Sequence, residues 1–90
     1  MQVRHCRLED IRSFDQLYDE LVRQLAFPGH FGRNLDALWD MLCCDIEGPI
    51  EIDWPTAAAD RAHLGDKFEA LRELFNDVVD ERDDVTIRLG

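Results

Sequence analysis

The apolar residues of this 90-residue chain change period along its length, and that change limits the folds open to it. Ile50-Glu51-Ile52-Asp53-Trp54 and Val85-Thr86-Ile87-Arg88-Leu89 read as strands, the first alternating with period two as a half-buried strand does. Met1 to Cys6 is a third candidate strand. Helix-period stretches lie between them. Ile11, Phe14, Leu17, Tyr18, Leu21, Val22 and Leu25 recur at helical spacing, and Ser13-Phe14-Asp15-Gln16 has the pattern of a capping box. That predicts a first helix from Ser13 to Ala26, stopped by Pro28 and Gly29. A second is expected from Asn34, whose amide can cap the first turn, to Cys44, ahead of Gly48-Pro49. Pro55 suits the start of a short helix through Ala57, Ala58 and Ala59 to Gly65. Asp66-Lys67-Phe68-Glu69 repeats the capping-box pattern before a last helix with Phe68, Leu71, Leu74, Phe75, Val78 and Val79 on one face.

The order is strand, two helices, strand, two helices, strand. Connections of that length permit crossovers between parallel strands, so the expected fold is α/β: a small, mostly parallel three-stranded sheet packed with about four helices. A hydrophobic content of 46% over this length suits one compact core, and residues 1–90 are expected to form a single domain. The sequence contains no internal repeat, low-complexity tract or linker.

Twenty acidic residues against ten basic ones give a formal net charge of −10. Such a surface repels nucleic acid and anionic membrane and attracts cationic proteins, although acidity also serves solubility alone. Nucleic acid and membrane are therefore not expected partners, and a basic protein is. No apolar run reaches membrane length, and the first residues have no apolar signal segment. Cys6, Cys43 and Cys44 are an odd set with no framework spacing, expected as free thiols in a reducing compartment. The expected location is cytoplasmic.

The stretch from Phe27 to Asp40 leads an ordered turn directly into an acid-bearing helix. Leu35, Leu38, Trp39 and Leu42 form its apolar stripe, while Asp36, Asp40 and Cys43 fall on a neighbouring face that borders Trp39. Two like charges at i and i+4 cost a few tenths of a kcal/mol in an isolated helix, which something outside the fold could offset. Paired carboxylates can serve acid–base catalysis, but the chain has no serine-centred motif, Gly-rich phosphate loop or ordered His/Cys arrangement, so an enzyme is not expected. Nor is a metal or other cofactor. Cys43 and Cys44, about 100° apart on an α-helix, cannot both easily hold one ion; one thiol is expected toward the core and one at the surface. Trp54 reads as core, Trp39 as core or as a wall behind the acids, and His30 as an exposed or a stacking ring. Glu69, Glu73, Asp77 and Glu81, at successive i+4 steps, read as a solvated helix face.

Phe31-Gly32-Arg33-Asn34-Leu35-Asp36-Ala37-Leu38-Trp39-Asp40, with Pro28 upstream and Pro49 downstream, resembles the barstar family, intracellular inhibitors of an extracellular ribonuclease. The likeness runs from Ile11-Arg12-Ser13 through Leu25-Ala26 to Asp84-Val85-Thr86-Ile87 without an internal gap. The resemblance implies a three-stranded parallel sheet with packed helices. It also implies that the second helix and the turn before it plug the substrate groove of a basic ribonuclease. Asp40 would enter the site of the substrate phosphate, Asp36 would flank it, and Gly32 and Asn34 would hold the turn close to the enzyme. Trp39 would buttress the helix, with His30, Cys43, Asp45, Asp77 and Glu81 around it. His30, Cys43 and Asp45 stand where barstar has tyrosine, threonine and tryptophan; Asp77 replaces a glutamate and Glu81 keeps one. The implied target is a barnase-like ribonuclease or, to match the altered rim, a toxin ribonuclease of the same or a rival bacterium. The free chain is expected to be a monomer. An acidic adaptor for a basic protein unrelated to nucleases is the competing reading.

Overall fold

The computed structural model describes residues 2–90. Its elements follow the expected order: β1 (Arg4–Arg7), α1 (Phe14–Leu25), α2 (Leu35–Asp40) continued by a π-helical turn (Met41–Asp45), β2 (Ile50–Trp54), α3 (Ala57–Leu64), α4 (Lys67–Glu81) and β3 (Val85–Leu89). The three strands form one sheet in the order β1-β2-β3, parallel throughout, with Cys6 opposite Ile52 and Ile52 opposite Ile87. This is the α/β architecture expected. The first strand begins later than expected, at Arg4, and Met1 lies outside the described residues.

Parallel sheets usually carry helices on both faces, which makes their strands continuously apolar. Here one face stays open. Ile50, Ile52 and Trp54 of the central strand are buried, while Glu51 and Asp53 point the other way and are bridged by Arg88 of β3 at 2.8 and 3.0 Å. The helices therefore cover the Cys6–Ile52–Ile87 side, and period-two alternation survives in a parallel strand because its second face meets water.

The first helix begins as its sequence indicates, with the Ser13 hydroxyl accepting from the Gln16 N–H at 3.1 Å. The Gln16 side chain does not return to Ser13 but accepts from the Arg12 N–H and donates to the Asp10 carbonyl. The helix ends before Pro28, at Ala26 in the left-handed conformation (φ 55°), a position that glycine usually takes. The second expected capping box does not form. Asp66 makes no side-chain cap, and Glu69 instead meets Arg61 at 3.2 Å and Arg72 at 2.8 Å, because two guanidinium groups within reach outcompete a backbone N–H.

A single carboxylate joins the elements at the carboxyl end of β2. Asp60 is 3% exposed, and its Oδ2 accepts from the Ile11 N–H (2.9 Å), the Trp54 indole N–H (2.8 Å) and the Thr56 hydroxyl (2.6 Å). It thereby ties the β1–α1 connection and the end of the central strand to α3. Burial alone would raise its pKa, but the three donors outweigh burial and hold it below the usual value of 3.8. The folded-state pKa is lowered, so this stabilisation is complete above the pKa of the unfolded chain and is lost as pH falls through the folded value. Asp60→Ala, which orphans the buried donors, should lower unfolding free energy by about 3 kcal/mol in urea titrations at neutral pH. The difference from the parent should shrink below about pH 4.

Candidate functional site

The turn into α2 is built from the aromatic residues beneath it. Phe31 packs edge-on against Phe27 (5.0 Å between centroids) and Tyr18 of α1 (5.6 Å), and its N–H donates to the Pro28 carbonyl at 3.0 Å. His30 and Gly32 are exposed on either side of this buried ring. A Cβ on Gly32 would come within 3.3 Å of the Ala37 Cβ and 3.4 Å of the Asn34 amide nitrogen, so a larger residue would press on the start of the helix. Asn34 caps as expected: its Oδ1 accepts from the Ala37 N–H at 2.7 Å, and its Nδ2 donates to the Gly32 carbonyl at 3.3 Å.

Beyond the cap, α2 turns Leu38 and Leu42 fully inward and leaves Leu35 and Trp39 half-buried against the core. Asp36 and Asp40 are exposed. Trp39 thus lines the core edge beside the acids, and Trp54 is fully buried.

After Asp40 the helix widens. The Ile46 N–H reaches back to the Met41 carbonyl at 3.0 Å, a π-type bond, and this turn carries Cys43, Cys44 and Asp45. Here one expectation is overturned: Cys43 and Cys44 are bonded to each other as a disulfide, and only Cys6 remains a free thiol. The expectation assumed the angular spacing of an α-helix, and a wider turn sets successive residues closer in angle. Cys43 is half-buried, whereas Cys44 and Asp45 are exposed.

Arg82, in the connection from α4 to β3, secures the end of this helix. Its Nη1 donates to the carbonyls of Leu42 (3.0 Å) and Ile46 (2.7 Å), while Nε and Nη2 grip both oxygens of Asp84 at 2.9 and 2.8 Å. One guanidinium thus satisfies carbonyls left over at the helix end and fixes them to the start of β3. Gly48 lies so close to this pair that a Cβ would collide with both Arg82 and Asp84. Neither Arg82 nor Asp60 stood out in the sequence; the run Asp80-Glu81-Arg82-Asp83-Asp84 showed only charge.

Helix α4 packs against α2 and the π turn, and Asp77 and Glu81 are exposed near its C-terminal end. Neither α2 nor α4 has a basic residue in its last turn, where the helix dipole would favour one. The ion pairs lie elsewhere. Arg7, Arg12, Arg23, Arg33, Arg61, Arg72, Arg82 and Arg88 each meet a carboxylate, and these carboxylates do not include Asp36, Asp40, Asp45, Asp77 or Glu81 among the described residues. No helix among the described residues is long and apolar enough to cross a membrane, and no group of three or more His, Cys, Asp or Glu among them could hold a metal ion.

The fold is a two-layer α/β arrangement whose capped second helix carries exposed acids. The chain belongs to the barstar family: the family described as "Barstar (barnase inhibitor)" matches residues 1–90. It is also similar to "Putative ribonuclease inhibitor YrdF" of Bacillus subtilis (strain 168), with 33% identity over 76 residues, 80% of this chain and 84% of the relative. The family is one of inhibitors and not of enzymes, so paired-carboxylate catalysis by Asp36 and Asp40 is set aside.

The three sulfurs differ in reactivity. Cys6 is 2% exposed, and burial, with a smaller contribution from the nearby Glu20 carboxylate, pushes its thiol up to about 12. Thiolate is the reactive form. Treating the folded, reduced protein with iodoacetamide at mildly alkaline pH should therefore alkylate Cys43 and Cys44 and spare Cys6, as read by peptide mass spectrometry. All three should react in denaturant.

Proposed function

We propose that this chain inhibits a basic ribonuclease reversibly, by inserting the acidic face of α2 into the site that binds the phosphate of RNA. The observation that carries this reading is the distribution of charge: among the described residues the acids of α2 and their neighbours stay exposed and unpaired, while most arginines are engaged elsewhere. A pocket of Arg, Lys and His made to hold a phosphate is already complementary to a fixed carboxylate. Asp40 is the central carboxylate and Asp36 flanks it. Gly32 and Asn34 bring the turn close, His30 offers a flat ring beside it, and Trp39 backs the helix. Cys43, Asp45, Asp77 and Glu81 form the rim.

The net charge of −10 steers the inhibitor toward a cationic enzyme, an effect that salt should weaken. Membership in the barstar family and similarity to a protein named as a ribonuclease inhibitor support this reading. In this reading the chain is a cytoplasmic monomer that needs no cofactor and protects its cell against its own or a rival's secreted or toxin ribonuclease. Asp45, a charge on the rim, suits a cationic residue of the partner and sets specificity there.

The test is inhibition of RNA cleavage by barnase and by a panel of basic bacterial ribonucleases, with purified chain titrated against each. At least one enzyme should be inhibited competitively with RNA. Asp40→Ala should weaken that inhibition by about 2 kcal/mol, roughly thirtyfold. Glu73→Ala, an exposed acid on the solvated face of α4, should change it less than threefold, on the order of 0.5 kcal/mol. Equal losses from the two variants would remove Asp40 from its central role. A partner that binds while its cleavage of RNA continues unchanged would favour the adaptor.

A further inference from the structure

Arg33 is a base in the turn that leads into the acid-bearing helix, between Gly32 and Asn34, and its backbone stands at φ 54°, a left-handed conformation that bulky residues seldom adopt. Something must hold it there. Its guanidinium points back to α1, where Nη2 lies 3.0 Å from Asp19 Oδ1 and 3.6 Å from Asp15 Oδ1 and donates to the Asp15 backbone carbonyl at 3.1 Å. The Arg33 guanidinium carbon also sits 5.7 Å from the centroid of the Tyr18 ring. Tyr18 is the same ring that packs edge-on against Phe31, so the cation and the buried aromatic residue of the turn bear on one side chain of α1.

We infer that Arg33 is a positioning residue: it latches the turn to α1 in the free protein and so holds Gly32, Asn34 and the first turn of α2 ready before any partner arrives. The inference rests on the inhibitor reading only for its consequence in binding. Each ion pair is largely exposed and worth little alone, but the contacts converge on one planar group, so a single side-chain conformation satisfies them together. The pairing also neutralises a positive charge that would otherwise face a cationic enzyme, and leaves the acids of α2 to set the field of the face. An ordered turn loses less conformational freedom on binding than a mobile one.

The variants are Arg33→Ala, Arg33→Gly, Arg33→Lys and the double change Asp15→Asn/Asp19→Asn, each in the full chain. The reporters in the free protein are amide exchange rates at Phe31 and Ala37, whose N–H groups bond to Pro28 and Asn34, with Ile52 of the central strand as control. Loss of the latch should accelerate exchange at Phe31 and Ala37 by about five- to tenfold in Arg33→Ala and in the double change, and leave Ile52 unaltered. Arg33→Gly should be as fast although it relieves the left-handed backbone, and Arg33→Lys, a point charge without the fork, should fall between. Raising salt should accelerate these amides in the parent and not in Arg33→Ala. Inhibition of a ribonuclease that the parent inhibits should weaken several-fold in Arg33→Ala and in the double change. Unchanged exchange at Phe31 and Ala37 would overturn the latch even if inhibition persists; faster exchange with unchanged inhibition would overturn its role in binding. If the parent inhibits no ribonuclease in the panel, the inhibitor reading fails, and the exchange rates alone decide the latch.

Discussion

Burial of Leu38 and Leu42 determines where Asp36 and Asp40 point. On a short helix each residue is rotated about 100° from the last, so the side that meets the core fixes the side that meets water. Fully burying one leucine is worth about 1.5–3 kcal/mol, whereas repulsion between two carboxylates one turn apart costs a few tenths. The apolar residues win by a wide margin, and the acids are carried outward with them. The helix can hold an unfavourable charge arrangement on its exposed side because its buried side is secure.

A helix this short needs support at both ends. Asn34 closes the first turn, and the ring of Phe31 seats the preceding turn between Phe27 and Tyr18. At the far end Arg82 takes the Leu42 and Ile46 carbonyls and holds them to Asp84, with Gly48 leaving room for the pair. Asp60 secures the other end of the sheet in the same manner, one ionised group satisfying several polar atoms from separate segments. Neither acts as an isolated surface pair: Arg82 is only partly exposed and Asp60 is buried, so each replaces water for the groups it contacts.

The charges divide along the same lines. The open face of the sheet and the outer side of α1 carry both signs in contact, as with Glu51, Asp53 and Arg88, or Glu20 and Arg23. Asp40 and the exposed acids near the end of α4 have no such partners among the described residues, although helix dipoles would favour cations at those ends; Asp36 is likewise unpaired among them but stands in the first turn of α2, where the dipole favours an acid. Charge left uncompensated in that position does nothing for stability. It supplies a field directed at whatever approaches, which the proposed inhibition of a cationic enzyme would use.

Much of the fold and the acid face was legible in the sequence because the signals are local. The strand and helix periods, the Ser13 and Asn34 caps and the outward turn of Asp36 and Asp40 depend on residues within a few positions of one another. Local rules failed where a distant group competed. Glu69 answers Arg61 and Arg72 and not the start of its own helix. The widening after Asp40, which accompanies the Cys43–Cys44 bond, also lies outside a reading that assumes one helical pitch. Asp60 meets Ile11, Arg82 meets Leu42, and Arg33 meets Asp15 and Asp19 only after the chain has closed on itself. Burial and spacing act along the chain, so residue order already specifies which elements form and which side of the second helix bears acid; ion pairing depends on distance in space, so the choice of charges to be neutralised waits for the folded arrangement.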